Sequence, residues 1–181
     1  TGTSAKFNNP HGIIKVGSNL YVADSVNYKI RKIVISTGVV TTLAGSGTAG
    51  STDGTGTAAS FNDPREMTTD GTNLYLADAS NHKIRKIVIS TGAVTTLAGS
   101  GSAGSTDATG TAASFNVPMG IVYDGTYLYV VGYANRKIRK IALRETETAN
   151  LSLYNLDDDL VVPVKVASSN TAEATVSPAT L

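Results

Sequence analysis

Phenylalanine stands at positions 7, 61 and 115, so the three are 54 residues apart. The residues after each one repeat as well. The stretch 61–105 nearly copies 7–50, and a looser third copy begins at Phe115. Self-similarity at this period means stacked supersecondary units, none able to bury its apolar face alone. Any fold for this chain has to be a tandem array.

Within each copy the same signals come in the same order. Phe-Asn-x-Pro opens it, at residues 7–10, 61–64 and 115–118. Proline fixes φ and withholds a donor, which suits the start of a strand. A short apolar strand follows, clearest as Gly120-Ile121-Val122-Tyr123, and then a turn at 16–19, 70–73 and 124–127. Asp-Gly between apolar runs, as in the second and third of these turns, marks a hairpin. The next strand is Leu20-Tyr21-Val22-Ala23-Asp24, matched at 74–78 and 128–132. A second turn carries Asn27, Asn81 and Asn135, a residue type that tolerates positive φ. Lys29-Ile30-Arg31-Lys32-Ile33-Val34-Ile35 forms the third strand, with copies from Lys83 and Lys137. After Ser-Thr-Gly turns, residues 40–44 and 94–98 make the fourth. Four short strands in about 40–50 residues read as one blade of a β-propeller. Linkers rich in Gly, Ser, Thr and Ala (45–60 and 99–114) are expected to pack as ordered Ω-like loops. The fold class expected is therefore all-β: three four-stranded antiparallel propeller blades, as a partial propeller or half of a six-bladed ring.

The runs Tyr21-Val22-Ala23-Asp24…Asn27-Tyr28-Lys29-Ile30-Arg31-Lys32 and Tyr75-Leu76-Ala77-Asp78…Asn81-His82-Lys83-Ile84-Arg85-Lys86 resemble the NHL repeat. The resemblance covers about residues 7–145. His82 matches the repeat's histidine, whereas Tyr28 and Arg136 depart from it. Gly132 replaces the Asp of the other copies, which predicts a looser turn there.

The third copy changes after Ile141, although residues 148–153 alternate well enough to serve as its fourth strand. The division expected is 1–148 for the blades (about 1–60, 61–114 and 115–153), then 149–181 for a completing strand and a tail. Residues 164–178 resemble part of the Calx-β and immunoglobulin-like β-sandwich repeats of bacterial surface proteins. That implies a partial sandwich cut within a second domain. Such a resemblance places the chain outside the cell or in its envelope.

Three blades do not close a ring, because closed propellers have roughly four to eight. An open wedge exposes two apolar blade faces. The expected partners are a second copy closing a six-bladed ring, further blades of a parent protein, or copies joined head-to-tail into a filament with strand exchange by the tail. Other proteins or a polysaccharide are possible ligands.

Chemistry is sparse. With 15 basic and 14 acidic side chains, no global charge draws the chain to polyanions. Without cysteine there are no disulfides, thiolate zinc sites or thiol nucleophiles. No apolar run is long enough to span a membrane. The thrice-repeated Lys-Ile-Arg-Lys supplies a candidate binding stripe: Lys29, Arg31, Lys32, Lys83, Arg85, Lys86, Lys137, Arg139 and Lys140, with Arg136 beside it. Aligned on one flank, it would hold RNA, an acidic polysaccharide or an acidic protein. The plainer reading makes these solvated strand residues paired with Asp24 and Asp78. Tyr21, Tyr75 and Tyr129 read as core rather than as a base-stacking platform.

Asp53 and Asp107 sit in Gly-rich loops that offer one carboxylate each, too few for calcium, and are expected to cap their own turns. Asp157-Asp158-Asp159 is denser and reads as a solvated turn, or as part of a Ca²⁺ site if the tail is Calx-β-like. Lyases and lactonases related to NHL propellers use a metal in the channel. His11 and His82 hold non-equivalent positions and do not build a ring of metal ligands. Near-identity of the first two copies suits a scaffold better than a catalyst. No cofactor is expected, and the function expected is a non-catalytic structural or interaction module.

Overall fold

The computed structural model describes residues 4–143 and, as backbone alone, 153–155. Each copy is an antiparallel meander. Blade one pairs β1 (Pro10–Val16), β2 (Asn19–Asp24), β3 (Lys29–Val34) and β4 (Val40–Ala44) in chain order. A short β5 (Gly54–Thr55) follows. Blade two contains β6 (Pro64–Thr69), β7 (Asn73–Asp78), β8 (Lys83–Val88) and β9 (Ala93–Ala98). Blade three contains β10 (Pro118–Tyr123), β11 (Tyr127–Gly132), β12 (Lys137–Ala142) and β13 (Leu153–Asn155). The chain is an all-β partial propeller.

The core lies between the blades. Strand alternation gives each sheet two faces. One face of blade one presents Tyr21, Ala23 and Ile30, and it packs on Phe61, Met67, Leu74, Leu76 and Ile87 of blade two. The other face of blade two presents Tyr75, Ala77 and Ile84, which meet Phe115, Leu128, Val130 and Ile141 of blade three. β1 touches β6, and β6 touches β10, so the first strands of the blades lie side by side. Tyr21 and Tyr75 are buried as expected. Tyr129 is only half-buried, because no fourth blade covers its face among the described residues.

Two local expectations change. The left-handed residues are Tyr28, His82 and Arg136, with φ of 55°, 53° and 55°, one position after the asparagines. In the first two blades a single 3₁₀ turn (Ser25–Asn27, Ala79–Asn81) precedes the left-handed residue, whose N–H bonds to the turn's first carbonyl. The chain thus reverses one residue later than a tight Asn turn would. The linker is also more than a loop. β5 lies within it and pairs antiparallel with β9, so blade two gains a fifth strand at its outer edge. Gly45 (φ 108°) and Gly99 (φ 104°) begin the linkers where a Cβ would sit 2.3 and 2.4 Å from the carbonyls of Tyr28 and His82. The described part of the strand completing blade three is Leu153–Asn155, with Leu153 opposite Ile141, and the rest of the expected 148–153 lies outside the described residues. The sandwich tail and Asp157, Asp158 and Asp159 lie outside the described residues.

Candidate functional site

The Lys-Ile-Arg-Lys motifs do not form one stripe. On β3, Lys29 and Arg31 oppose Asp24 and Val22, while Ile30 and Lys32 oppose Ala23 and Tyr21. The period of two therefore sends neighbouring cations to opposite faces. The arginines point inward: Arg85 and Arg139 are 0% exposed. Lys29, Lys32, Lys83, Lys86, Lys137 and Lys140 are half-buried along the blades, and Arg136 is exposed in a turn. Lys140 lies over the Tyr127 ring, 3.4 Å from its centre.

Each inward arginine is the centre of a latch. Arg85 donates through Nη1 to Asp78 (2.8 Å) and to the Ser60 carbonyl (3.1 Å). Through Nη2 it donates to Asp53 (2.7 Å) and to the Thr52 carbonyl (3.0 Å). Its guanidinium lies 5.3 Å from the centre of the Phe61 ring, a cation–π contact. Thr96 of β9 adds its N–H and hydroxyl to Asp53, each at 3.0 Å. Asp53 thus does not cap its own turn; its carboxylate, 48% exposed, bridges Arg85 and Thr96 at the surface. It ties the linker from blade one to the outer edge of blade two.

Blade three repeats this arrangement. Arg139 holds the carbonyls of Ser114 (2.6 Å) and Thr106 (2.9 Å) and pairs with Asp107. It lies 4.8 Å from the centre of the Phe115 ring. Burial works to raise the Asp78 carboxyl above its ordinary value, against the pull of Asn81, the Asn62 amide and Arg85. Burial lowers Arg139 from the usual guanidinium value, and Asp107 opposes it. A buried charge is tolerable only when bonded, and here both terminal nitrogens of each guanidinium are, although the Nε of Arg85 and of Arg139 is buried without a partner.

Gly132, in the place of Asp78, leaves room that Asn135 fills. A Cβ at Gly132 would lie 2.1 Å from Asn135 Oδ1. Asn135 Nδ2 donates to the Gly104 carbonyl at 3.2 Å as Asn81 does to Gly50 at 2.7 Å, but the bond that Asn81 makes to Asp78 has no counterpart and no 3₁₀ turn forms. The latches were legible only in part. Arg, Phe, Ser and Asp recur together in the copies, but nothing in one strand's alternation says that an arginine faces inward.

No protein-family profile matches the chain. NHL repeat-containing protein 2 of Homo sapiens is 39% identical over 101 residues, which are 53% of this chain and 14% of the human protein. An auxiliary nutrient binding protein from Bacteroides thetaiotaomicron superposes with a TM-score of 0.58 at 30% identity. The match takes in 71% of this chain and 35% of that one. An auxiliary nutrient binding protein from Bacteroides ovatus superposes with a TM-score of 0.64 at 26% identity, over 78% and 39% of the two chains. Over about half of the chain, the blades are similar to those of an NHL repeat protein. The chain spans about a seventh of the human protein and about a third of these structures.

The histidine of the NHL pattern has a structural position here. His82 closes the turn after β7, and its Nδ1 accepts the Val117 N–H at 3.1 Å, joining blade two to the start of blade three. His11 also reaches forward, from blade one to blade two, with Nε2 2.6 Å from Arg65 Nη1. Among the described residues no three of His, Cys, Asp and Glu gather as metal ligands would, and no helix is long and apolar enough to cross a membrane.

Proposed function

We propose that this chain is a non-catalytic interaction scaffold, a run of NHL blades whose open sheet face joins a further blade. The observation that carries this reading is the outer face of blade three. Val122, Val131 and Ile138 are 57, 44 and 46% exposed there. This face is the counterpart of the ones that blades one and two already press against their neighbours. The nutrient-binding neighbours favour a binding role and a place in the bacterial envelope. Arg85, Arg139, Asp53, Asp78 and Asp107 are engaged in the latches.

In solution the isolated chain is expected to pair through this face, a second copy standing in for the next blade. Light scattering across a concentration series reads the outcome. A two-chain species that dissociates in Val131→Glu is the result expected. A strict monomer at every concentration, unaltered by that substitution, overturns the reading. Open-ended growth instead of a discrete pair would show the same face building a filament.

A further inference from the structure

Among the described residues, the latch of blade one has its inner half only. Arg31 occupies the register of Arg85, opposite Thr42 as Arg85 is opposite Thr96. It keeps the inner half of the arrangement. Its Nη1 donates to Asp24 at 3.1 Å, and its guanidinium lies 5.4 Å from the centre of the Phe7 ring. Among the described residues, however, Arg31 Nη2 has no acceptor, where Arg85 and Arg139 each hold a linker carbonyl and an aspartate. Nor has Thr42 the carboxylate that Thr96 binds. The Arg31 side chain is 15% exposed, against 0% for Arg85. The edge of β4 is likewise unpaired among these residues, whereas β9 carries β5.

We infer that the Arg31–Thr42 edge of blade one is a docking site for the Ser-Thr-Asp-Gly segment of an inter-blade linker leaving a preceding blade. The ligand must bring one carboxylate between Arg31 Nη2 and the Thr42 donors, and a free carbonyl one residue earlier. Thr52-Asp53 makes the whole of this arrangement with Arg85 and Thr96, and Thr106-Asp107 makes its arginine half with Arg139. Register supplies the source. Thr1-Gly2-Thr3-Ser4-Ala5-Lys6-Phe7 agrees with Thr55-Gly56-Thr57-Ala58-Ala59-Ser60-Phe61 at five of seven positions. A linker in the same phase therefore places Asp-Gly directly ahead of Thr1. The inference rests on the reading that these blades belong to a longer run, and it adds what holds the first of them.

The test extends the full chain at Thr1 with a copy of residues 45–54, and compares it with the same extension carrying Asp→Asn at the copied Asp53. Charge-assisted bonds of this kind in a chain of this size predict a melting temperature higher by about 4 °C. Hydrogen exchange at the Thr42 amide is expected to slow about tenfold. The Asn extension should lose most of both effects, and it leaves every residue of the original chain intact. Unchanged melting and Thr42 exchange, or equal effects from the Asp and Asn extensions, overturn the inference. Light scattering on the same samples keeps the two ideas apart. A filled latch on a strictly monomeric chain supports the docking site while it sinks the blade-face reading.

Discussion

At the scale of single residues, the molecule is held by a few buried ions rather than by its apolar side chains alone. Arg85→Met leaves Asp78 buried without its cation, and a loss of about 3–5 kcal/mol is expected in urea unfolding. Arg85→Lys should recover little of this, because a point ammonium does not serve four acceptors in a fork. It follows that Arg31, Arg85 and Arg139 are poor probes of polyanion binding, since alanine there disturbs the fold before it disturbs any ligand. Val117 offers the opposite case. It is β-branched and has φ of 50°, where the equivalent positions hold Asn9 and Asp63 at 52° and 57°. A side chain of its kind is strained there. Val117→Asn is expected to stabilise by about 1 kcal/mol, seen as a melting temperature higher by about 2–4 °C.

At the scale of elements, the hairpins were legible and the latches were not. Asp70-Gly71 and Asp124-Gly125 announce their turns, and the structure shows how. Asp70 accepts the N–H groups of Thr72 (2.8 Å) and Asn73 (2.6 Å) and the hydroxyl of Tyr75 (2.8 Å). Burial works to raise the Asp70 carboxyl, but bonds from Asn73, Thr72 and Tyr75 outweigh it and hold the group below its ordinary value. A lowered carboxylate gives stability that is complete above the unfolded value and is lost as pH falls through the folded one. Asp70→Asn should therefore lower the urea midpoint at neutral pH, and the difference from the parent should vanish on acidification. The modest exposure-limited effect is read from the shape of that curve. What the sequence hid was direction. Lys-Ile-Arg-Lys reads as a charged strand whichever face looks outward, and only Phe61, Ser60, Thr52 and Asp53, up to 33 residues away, decide that Arg85 turns in. The 54-residue recurrence of that whole set was the available signal. The same distance hid β5, because a two-residue strand inside a Gly-rich linker has no apolar alternation of its own.

At the scale of the whole molecule, the period alone sufficed for the architecture, since a blade of this size must stack to bury both sheet faces. It did not reveal which outer face stays most open. Val122, Val131 and Ile138 are apolar like the residues that blades one and two bury, and they are exposed because no next blade covers them among the described residues. Ile138→Glu, placed on that face away from either latch, is expected to leave the urea midpoint within about 0.5 kcal/mol of the parent while abolishing pairing in light scattering. Because the core sits at the joints, every joint offers the same surfaces to whatever comes next. Removing residues 61–114, one full period, would set blade one against a partner shaped like the one it lost. Such a gene can lengthen or shorten by unequal recombination without a new core having to evolve, which makes the number of blades the freest variable in this protein's history.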